Sequence, residues 1–548
     1  MPSTLIRPAT TVAEAFAAAA QAWGQQAFLC VLPETAAIYG IPAGELTYTE
    51  AHARIIALRE HYAKAGYGYG HRVGLLLENR PAFFLHWFAL NGLGVSVVPI
   101  NPDLRAAELE YLIDHSEIAL AVALPQRHND LRTAALATGR PLVVIADGEV
   151  PDMASFPAPG AGRVPDELSE CALLYTSGTT GRPKGCVLPN RYFLEAGRWY
   201  ASVGGLATLR PGIERMITPL PLVHMNAMAY STMAMVLTGG CLIPLDRFHP
   251  RSWWSSVRES RASVVHYLGV MPAMLMKAAV TAEDTAHQVR FGFGAGVDRS
   301  LHAPFEQRFG FPLLEAWAMT ETGAGAVVIA NLEPRLVGSS CFGHESAHIE
   351  VRLIADNGAE AAVDEPGELL VRHAGSDPRY GFFAGYLKDE AATDEAWAGG
   401  WFHTGDIVKR GADGNLHFID RRKNVIRRSG ENISAVEVES ALLQHPLVRS
   451  VAVAAVPDPV RGDEVFACVV APDVESDPLV QRAAAEELVN WCLARLAYYK
   501  APGYIAFVEA LPLTTSQKVQ RGELRTLALQ LHNQSNCIDT VALKKRQG

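Results

Sequence analysis

Tyr175-Thr176-Ser177-Gly178-Thr179-Thr180-Gly181-Arg182-Pro183-Lys184-Gly185 is built to hold phosphate. Its glycines let the backbone approach an anion closely, the hydroxyls of Thr176, Ser177, Thr179 and Thr180 donate to phosphate oxygens, and Lys184 brings a positive charge. The run Cys171-Ala172-Leu173-Leu174-Tyr175 before it predicts a buried strand, so the loop is expected at a strand's carboxyl end, where open α/β sheets place ligands. Spacing excludes a Walker A loop. Only Thr179 and Thr180 separate Gly178 from Gly181 where that loop needs four residues, and Lys184 precedes Gly185 rather than Ser or Thr. A solvated Ser/Thr/Gly linker shares the composition, but it does not follow an apolar strand and end in Arg-Pro-Lys-Gly.

Upstream, the pattern is regular. Val73 to Leu77 predicts a strand, Pro81 to Leu93 a helix, Val95 to Ile100 a strand and Leu104 to His115 a helix. Strands at Ile118 to Leu124 and Leu142 to Ile145 flank a further helix. Such alternation predicts βαβ units and a parallel sheet. A chain of 548 residues exceeds one core, so two or more domains are expected. The net charge of −10 argues against a general nucleic-acid binder and requires a local basic site for any polyanionic substrate. Eight cysteines stand singly with no CxxC pair, which excludes a zinc or disulfide framework and fits a reducing, cytoplasmic setting. Thr11-x-x-Glu14 predicts a capping box opening an Ala-rich helix rather than a signal peptide. The charge-free run Met216 to Leu245 is cut by Pro219, Pro221, Gly239-Gly240 and Pro244 into pieces too short to span a bilayer; it predicts a buried helix followed by a strand.

Downstream of the loop come Pro219-Leu-Pro-Leu-Val-His224-Met225-Asn226, Phe291-Gly-Phe-Gly294-Ala295-Gly296, Leu314-Glu-Ala-Trp317-Ala-Met-Thr320-Glu321, and Trp401-Phe-His-Thr404-Gly405-Asp406. Singly, His224 is a packed turn histidine, Gly294-Ala295-Gly296 a turn and Asp406 a turn aspartate. Between Arg421 and Arg428 five of eight residues are basic, yet without interleaved aromatics this does not predict a nucleic-acid surface. Ser434-x-x-Glu437 predicts the start of a helix. Strands at Val448 to Val456 and Val465 to Val470 and a helix at Ala483 to Leu496 predict a separate small unit. Lys544-Lys545-Arg546 is expected to be a solvated end.

In this order the motifs resemble the adenylate-forming superfamily of acyl-CoA synthetases, adenylation domains of peptide synthetases and firefly-type luciferases, over roughly residues 10–529. Among these they look most like carnitine/crotonobetaine-type and aromatic acid CoA ligases. The resemblance implies an α/β fold: a large N-terminal domain (1–422) with parallel-rich sheets and a small mobile α+β domain (423–548) turning on Lys423. It implies that ATP and AMP are bound by Thr176, Ser177, Gly178, Thr179, Thr180, Gly181, Lys184, Gly294, Ala295, Gly296, Trp317, Thr320, Asp406 and Arg421. By the same resemblance Glu321 would hold Mg²⁺, and Lys518, Thr320, Glu321 and His224 would be catalytic. Arg428, Ser429, Gly430 and Glu431 would line the coenzyme A path, and Met225, Asn226, Val270 and Met271 the acyl pocket. Gln517 replaces the glycine that usually precedes the catalytic lysine.

The expected activity is an ATP-dependent, AMP- and pyrophosphate-forming carboxylic acid:CoA ligase for an aromatic or short to medium acid. A carnitine-like polar acid, and an adenylation enzyme that loads a carrier protein, stay open. An oxygenase of the luciferase type has no mark in the sequence, and a non-enzymatic nucleotide sensor would be expected to lack Lys518 or Glu321. Oligomeric state is left open, a homodimer among the states.

Overall fold

Strands that are apolar on both sides need cover on both sides, which a βαβ chain supplies with its own helices. Residues 72–189, joined by Gly385–Tyr386, do this in a seven-stranded sheet ordered Gly385–Tyr386, Lys184–Pro189, Glu170–Thr176, Ser96–Pro99, Arg72–Leu76, Leu120–Ala123 and Val143–Ile145. The five strands from Glu170–Thr176 onward are parallel. The two on the other side are antiparallel. Helix Pro81–Asn91 is apolar all round and is accordingly buried from Ala82 to Asn91. Helices Ala106–Ser116 and His128–Thr138 bury only one stripe each, Leu109, Leu112 and Ile113 on one and Leu131, Ala134 and Ala135 on the other.

The computed structural model describes residues 9–176, 183–421, 424–428, 431–458, 462–496, 498–513 and 518–544, without the side chains of 425, 427, 431 and 432. Ser177, Gly178, Thr179, Thr180, Gly181, Lys423, Ser429, Gly430 and Gln517 therefore lie outside the described residues.

An eight-stranded sheet runs in the order Val328–Ile329, Leu313–Trp317, Phe291–Ala295, Val264–Leu268, Arg215–Thr218, Cys241–Pro244, Ala27–Val31 and Gly44–Thr47, parallel except at its two edges. The charge-free run contributes a strand before its helix as well as after it: Arg215–Thr218, then a π-turn Asn226–Ser231 leading into helix Thr232–Thr238, then Cys241–Pro244. Among the described residues no helix is long and apolar enough to cross a membrane. Thr11 caps the first helix, Val12–Trp23, by accepting from Glu14 N.

Contacts divide the chain into Met1–Val351 with Val371–His403, and Arg352–Leu370 with Thr404–Gly548, so this grouping does not follow a single cut after residue 422. In the second unit, strands Ser450–Asp458 and Gly462–Val470 pair over nine residues, with Tyr504–Phe507 added parallel. Helices Ala435–Leu443 and Pro478–Leu493 close one face around Val438, Leu442, Leu488 and Val489. Helix Arg521–Asn533 covers the other through Leu524 and Ala528. Ser434 caps Ala435–Leu443 from the Glu437 N–H, as its spacing predicts.

The expectation of a solvated tail is corrected at Lys544. Its side chain is buried and its ammonium bonds the carboxylate of Glu464, which also takes Arg428 Nε at 2.8 Å. The residue sits just past a short turn, Val541–Leu543, anchored by Thr540, whose hydroxyl donates to Pro502 O. A buried acid inside an apolar strand demands a cation, and the tail supplies one.

One carboxylate in the first unit should govern its acid stability. Desolvation pushes Glu306 up, but the Arg335 guanidinium, His302 and the Leu313 N–H overcome it and hold the carboxyl at about 2 against an ordinary 4.5. A depressed folded value means stability that is present above about pH 4.5 and lost as pH falls toward 2. The contribution is about 3 kcal/mol. In urea melts at pH 7 and pH 3, Glu306→Gln is expected to destabilise at pH 7 and to lose much less on acidification than the unsubstituted protein. Equal acid losses in both would refute the assignment.

Candidate active site

The strand Glu170–Thr176 ends at the phosphate-type loop, and Lys184–Pro189 returns antiparallel beside it, Thr176 opposite Lys184. Neighbours brace both ends of the loop: Tyr111 donates to Pro183 O at 2.8 Å and His115 bonds the Tyr175 hydroxyl at 2.8 Å. Strand Gly385–Tyr386 adds to the same edge, Tyr386 opposite Cys186. That bridge brings four groups together. Lys184 Nζ lies 4.7 Å from the centre of the Tyr386 ring and 3.9 Å from Asp389 Oδ2, and the Tyr386 hydroxyl donates to Glu321 Oε1 at 3.0 Å. Burial, and then the Glu321 charge, push the Tyr386 phenol far above its ordinary value, so it stays a donor at all working pH. Glu321 is buried, and its main chain is held by Phe383 N to its carbonyl at 3.0 Å. Thr320 is half-buried, and the turn after it is closed by Thr322 Oγ1 accepting from Met319 N.

The Gly294-Ala295-Gly296 turn leaves the carboxyl end of Phe291–Ala295 and is pinned by Glu315 of the next strand. That carboxylate accepts from Gly296 N and Val297 N at 3.0 Å each and from the Tyr267 hydroxyl at 3.1 Å. Desolvation raises the Glu315 pKa, and the two backbone N–H groups oppose the rise. Glu315 went unassigned in the sequence, although an acid inside the apolar strand Leu313–Trp317 is itself a signal. Trp317 is buried near Phe342, ring centroids 6.2 Å apart. Gly296 has φ +80°, which favours glycine, and Gly269 faces it so closely that a Cβ on Gly269 would stand 1.6 Å from Gly296 O. Gly269→Ala is therefore expected to cost roughly 1–3 kcal/mol or more, because backbone meets backbone and no rotamer relieves it. Gly522, with open space around its Cβ position in helix Arg521–Asn533, is the control; alanine there should be neutral or stabilising in the same urea melt. Equal midpoints for the two variants would contradict the close approach.

The acyl-pocket candidates separate. Val270 is exposed and Met271 buried at the start of helix Val270–Met276, while Met225 and Asn226 are half-buried at the π-turn and His224 is exposed just before it. Asn226 Oδ1 lies 2.7 Å from His266 Nδ1, a contact that no spacing in the sequence announces.

In the second unit, Asp406 and Arg421 stand opposite each other on strands Phe402–Arg410 and Leu416–Arg421, with Arg421 Nε 2.9 Å from Asp406 Oδ1. Asp406 is buried. Lys518 is exposed at the surface, and its ammonium is held below the ordinary lysine value, by desolvation first and then by the Arg421 charge. Arg428 is buried on Glu464, and Glu431 contributes backbone to the strand Glu431–Ser434.

For a hard divalent cation, the described residues offer no cluster of three or more His, Cys, Asp or Glu. One buried carboxylate, Glu321, close to Cys186 and Tyr386, fits an ion that takes most of its oxygens from substrate phosphates and water, as Mg²⁺ does.

Residues 28–387 match the model of the AMP-binding enzyme family, and residues 437–518 that of the AMP-binding enzyme C-terminal domain. The chain is 34% identical over 493 residues to a feruloyl-CoA synthase of an Amycolatopsis species, covering 88% of this chain and 93% of that one. It is 28% identical over 497 residues to a crotonobetaine/carnitine–CoA ligase of Shigella flexneri, covering 87% and 93%. In fold it resembles o-succinylbenzoate CoA synthetase from Bacillus subtilis in complex with its acyl-adenylate intermediate, TM-score 0.78, 23% identical, covering 93% and 97%. The α/β architecture with its small C-terminal part agrees with that fold, and the chain belongs to the AMP-binding enzyme family.

Proposed function

We propose that this protein is an ATP-dependent, AMP- and pyrophosphate-forming carboxylic acid:CoA ligase acting on an aromatic acid, with Mg²⁺, ATP and coenzyme A as co-substrates. The observation that carries the activity is the 34% identity to a feruloyl-CoA synthase across 88% of the chain, with Lys184, Glu321, Asp406, Arg421 and Lys518 all present. Positioning and charge neutralisation are the catalytic tasks. Lys184 and the hydroxyl loop hold the triphosphate, Gly294-Ala295-Gly296 and Trp317 border the adenine, and Asp406 accepts from the ribose hydroxyls. Glu321 would hold Mg²⁺, which supplies neutralising charge to the phosphates when bound. The substrate carboxylate attacks the α-phosphorus with Lys518 facing the charge that builds there, pyrophosphate leaves, and the CoA thiol then displaces AMP. Residues 423–548 turn on Lys423 between these steps and present the Gly430 segment to the thiol. Eight free cysteines, seven of them buried, fit a reducing cytoplasm.

A second reading, a small charged acid, is favoured by the carnitine ligase likeness and by 32% identity to a sulfoacetate–CoA ligase of Cupriavidus necator. Carboxylate-dependent ATP–pyrophosphate exchange across cinnamates, benzoates, carnitine and sulfoacetate, followed by thioester detection with CoA, decides between them. Exchange with no acid would refute the ligase; exchange without thioester would move it to carrier-protein loading.

A further inference from the structure

Three side chains far apart in sequence form one buried hydrogen-bonded file in the first unit. Tyr200, on helix Asn190–Ser202, places its hydroxyl 3.1 Å from His266 Nε2, and His266 Nδ1 lies 2.7 Å from Asn226 Oδ1. Tyr200 and His266 are fully buried; Asn226 is half-buried.

Counting protons assigns the directions. His266 Nδ1 faces Asn226 Oδ1, which can only accept, so the neutral ring carries its proton on Nδ1 and Nε2 accepts from the Tyr200 hydroxyl. The ring proton is then on Nδ1 and donates to Asn226 Oδ1, with Ser231 Oγ, 2.9 Å away, as a lesser acceptor, since the Ser231 hydroxyl itself donates to Asn226 O. The carboxamide is thereby turned one way: oxygen inward, NH₂ outward. Burial holds the His266 imidazole neutral, its pKa pushed down to about 3, which keeps this single-proton arrangement at working pH.

The backbone is shaped for the same end. Asn226–Ser231 is a π-turn, stabilised by Ser231 Oγ on Asn226 O and Thr232 Oγ1 on Ala227 O, contacts across five residues that widen the helix where Asn226 stands. His266, the middle of the file, is opposite Phe293 in register, one residue before Gly294 on the strand that leads into the glycine turn. Trp199, Tyr230 and Phe293 pack around it: Phe293 lies 4.8 Å from both the Tyr200 and His266 rings, and Trp199 lies 5.4 Å from Tyr230.

Resting on the ligase reading above, we propose that Tyr200 and His266 are positioning residues that lock the Asn226 carboxamide as a hydrogen-bond donor, and that it selects aromatic acids carrying a neutral acceptor oxygen, a hydroxyl or ether, on the ring end distal to the carboxylate. An aliphatic ammonium tail meets a donor where it needs an acceptor, and a sulfonate meets a file whose hydrogen-bonding partners are all neutral. A site built to donate to an oxygen discriminates strongly against the isostere that lacks it, because its own donor is then left unpaired.

The test is the ratio of kcat/KM for 4-methoxycinnamate over 4-methylcinnamate by ATP–pyrophosphate exchange, taken within each variant so that the folded fraction cancels. The expected ratio is about tenfold or more in the unsubstituted enzyme, near one in Asn226→Leu, and intermediate in Tyr200→Phe and His266→Phe, with the change carried by KM for the acid rather than kcat. An unsubstituted enzyme that activates both acids with a ratio near one would overturn the inference and leave the ligase standing, as would an undiminished ratio in Asn226→Leu. An unchanged ratio in both Tyr200→Phe and His266→Phe would overturn the positioning role. Exchange with neither these acids nor any other would instead count against the ligase itself.

Discussion

Lys518→Ala is expected to lower adenylate formation by roughly two to three orders of magnitude, the loss that follows removal of one group aimed at transition-state charge, while nucleotide binding changes little. Lys518 is exposed, and its pKa is lowered by desolvation and then by the charge of Arg421, itself paired to Asp406. Because the pKa is lowered, the protonated form is lost at a lower pH than for a free lysine, so the alkaline limb of the rate should arrive early and should be absent from the residual activity of Lys518→Ala. Pyrophosphate exchange at near-normal rate in the variant would remove Lys518 from the chemistry.

The second large effect concerns stability. Glu464 is fully buried and holds both Arg428 and Lys544. Removing the carboxylate that lies between two buried cations takes away its charge from both, a loss of about 3–5 kcal/mol for a broken buried pair. Glu464→Ala is thus expected to unfold the second unit at much lower urea. The combined replacement Glu464→Leu, Arg428→Met and Lys544→Met should recover most of the loss, since apolar groups of similar volume replace buried ions at little cost. A single substitution that melts like the unsubstituted protein would show that the charges reach water.

Local and repetitive features were legible from the residues alone. The βαβ alternation from Val73 to Ile145, the strand into the phosphate-type loop, the Thr11 and Ser434 caps and the order of motifs all follow from periodicity or from contacts within a few residues. What only the tertiary structure decided is which distant polar groups meet: Tyr386 on Glu321, Glu315 under Gly296 and Val297, Tyr200 and His266 behind Asn226, and Lys544 on Glu464. Lys544 shows the reason most plainly. A lysine in a basic run is a solvated end on any local rule, because burying its charge is costly. The chain's return past Pro502 brings a buried carboxylate, Glu464, within reach to offset this cost.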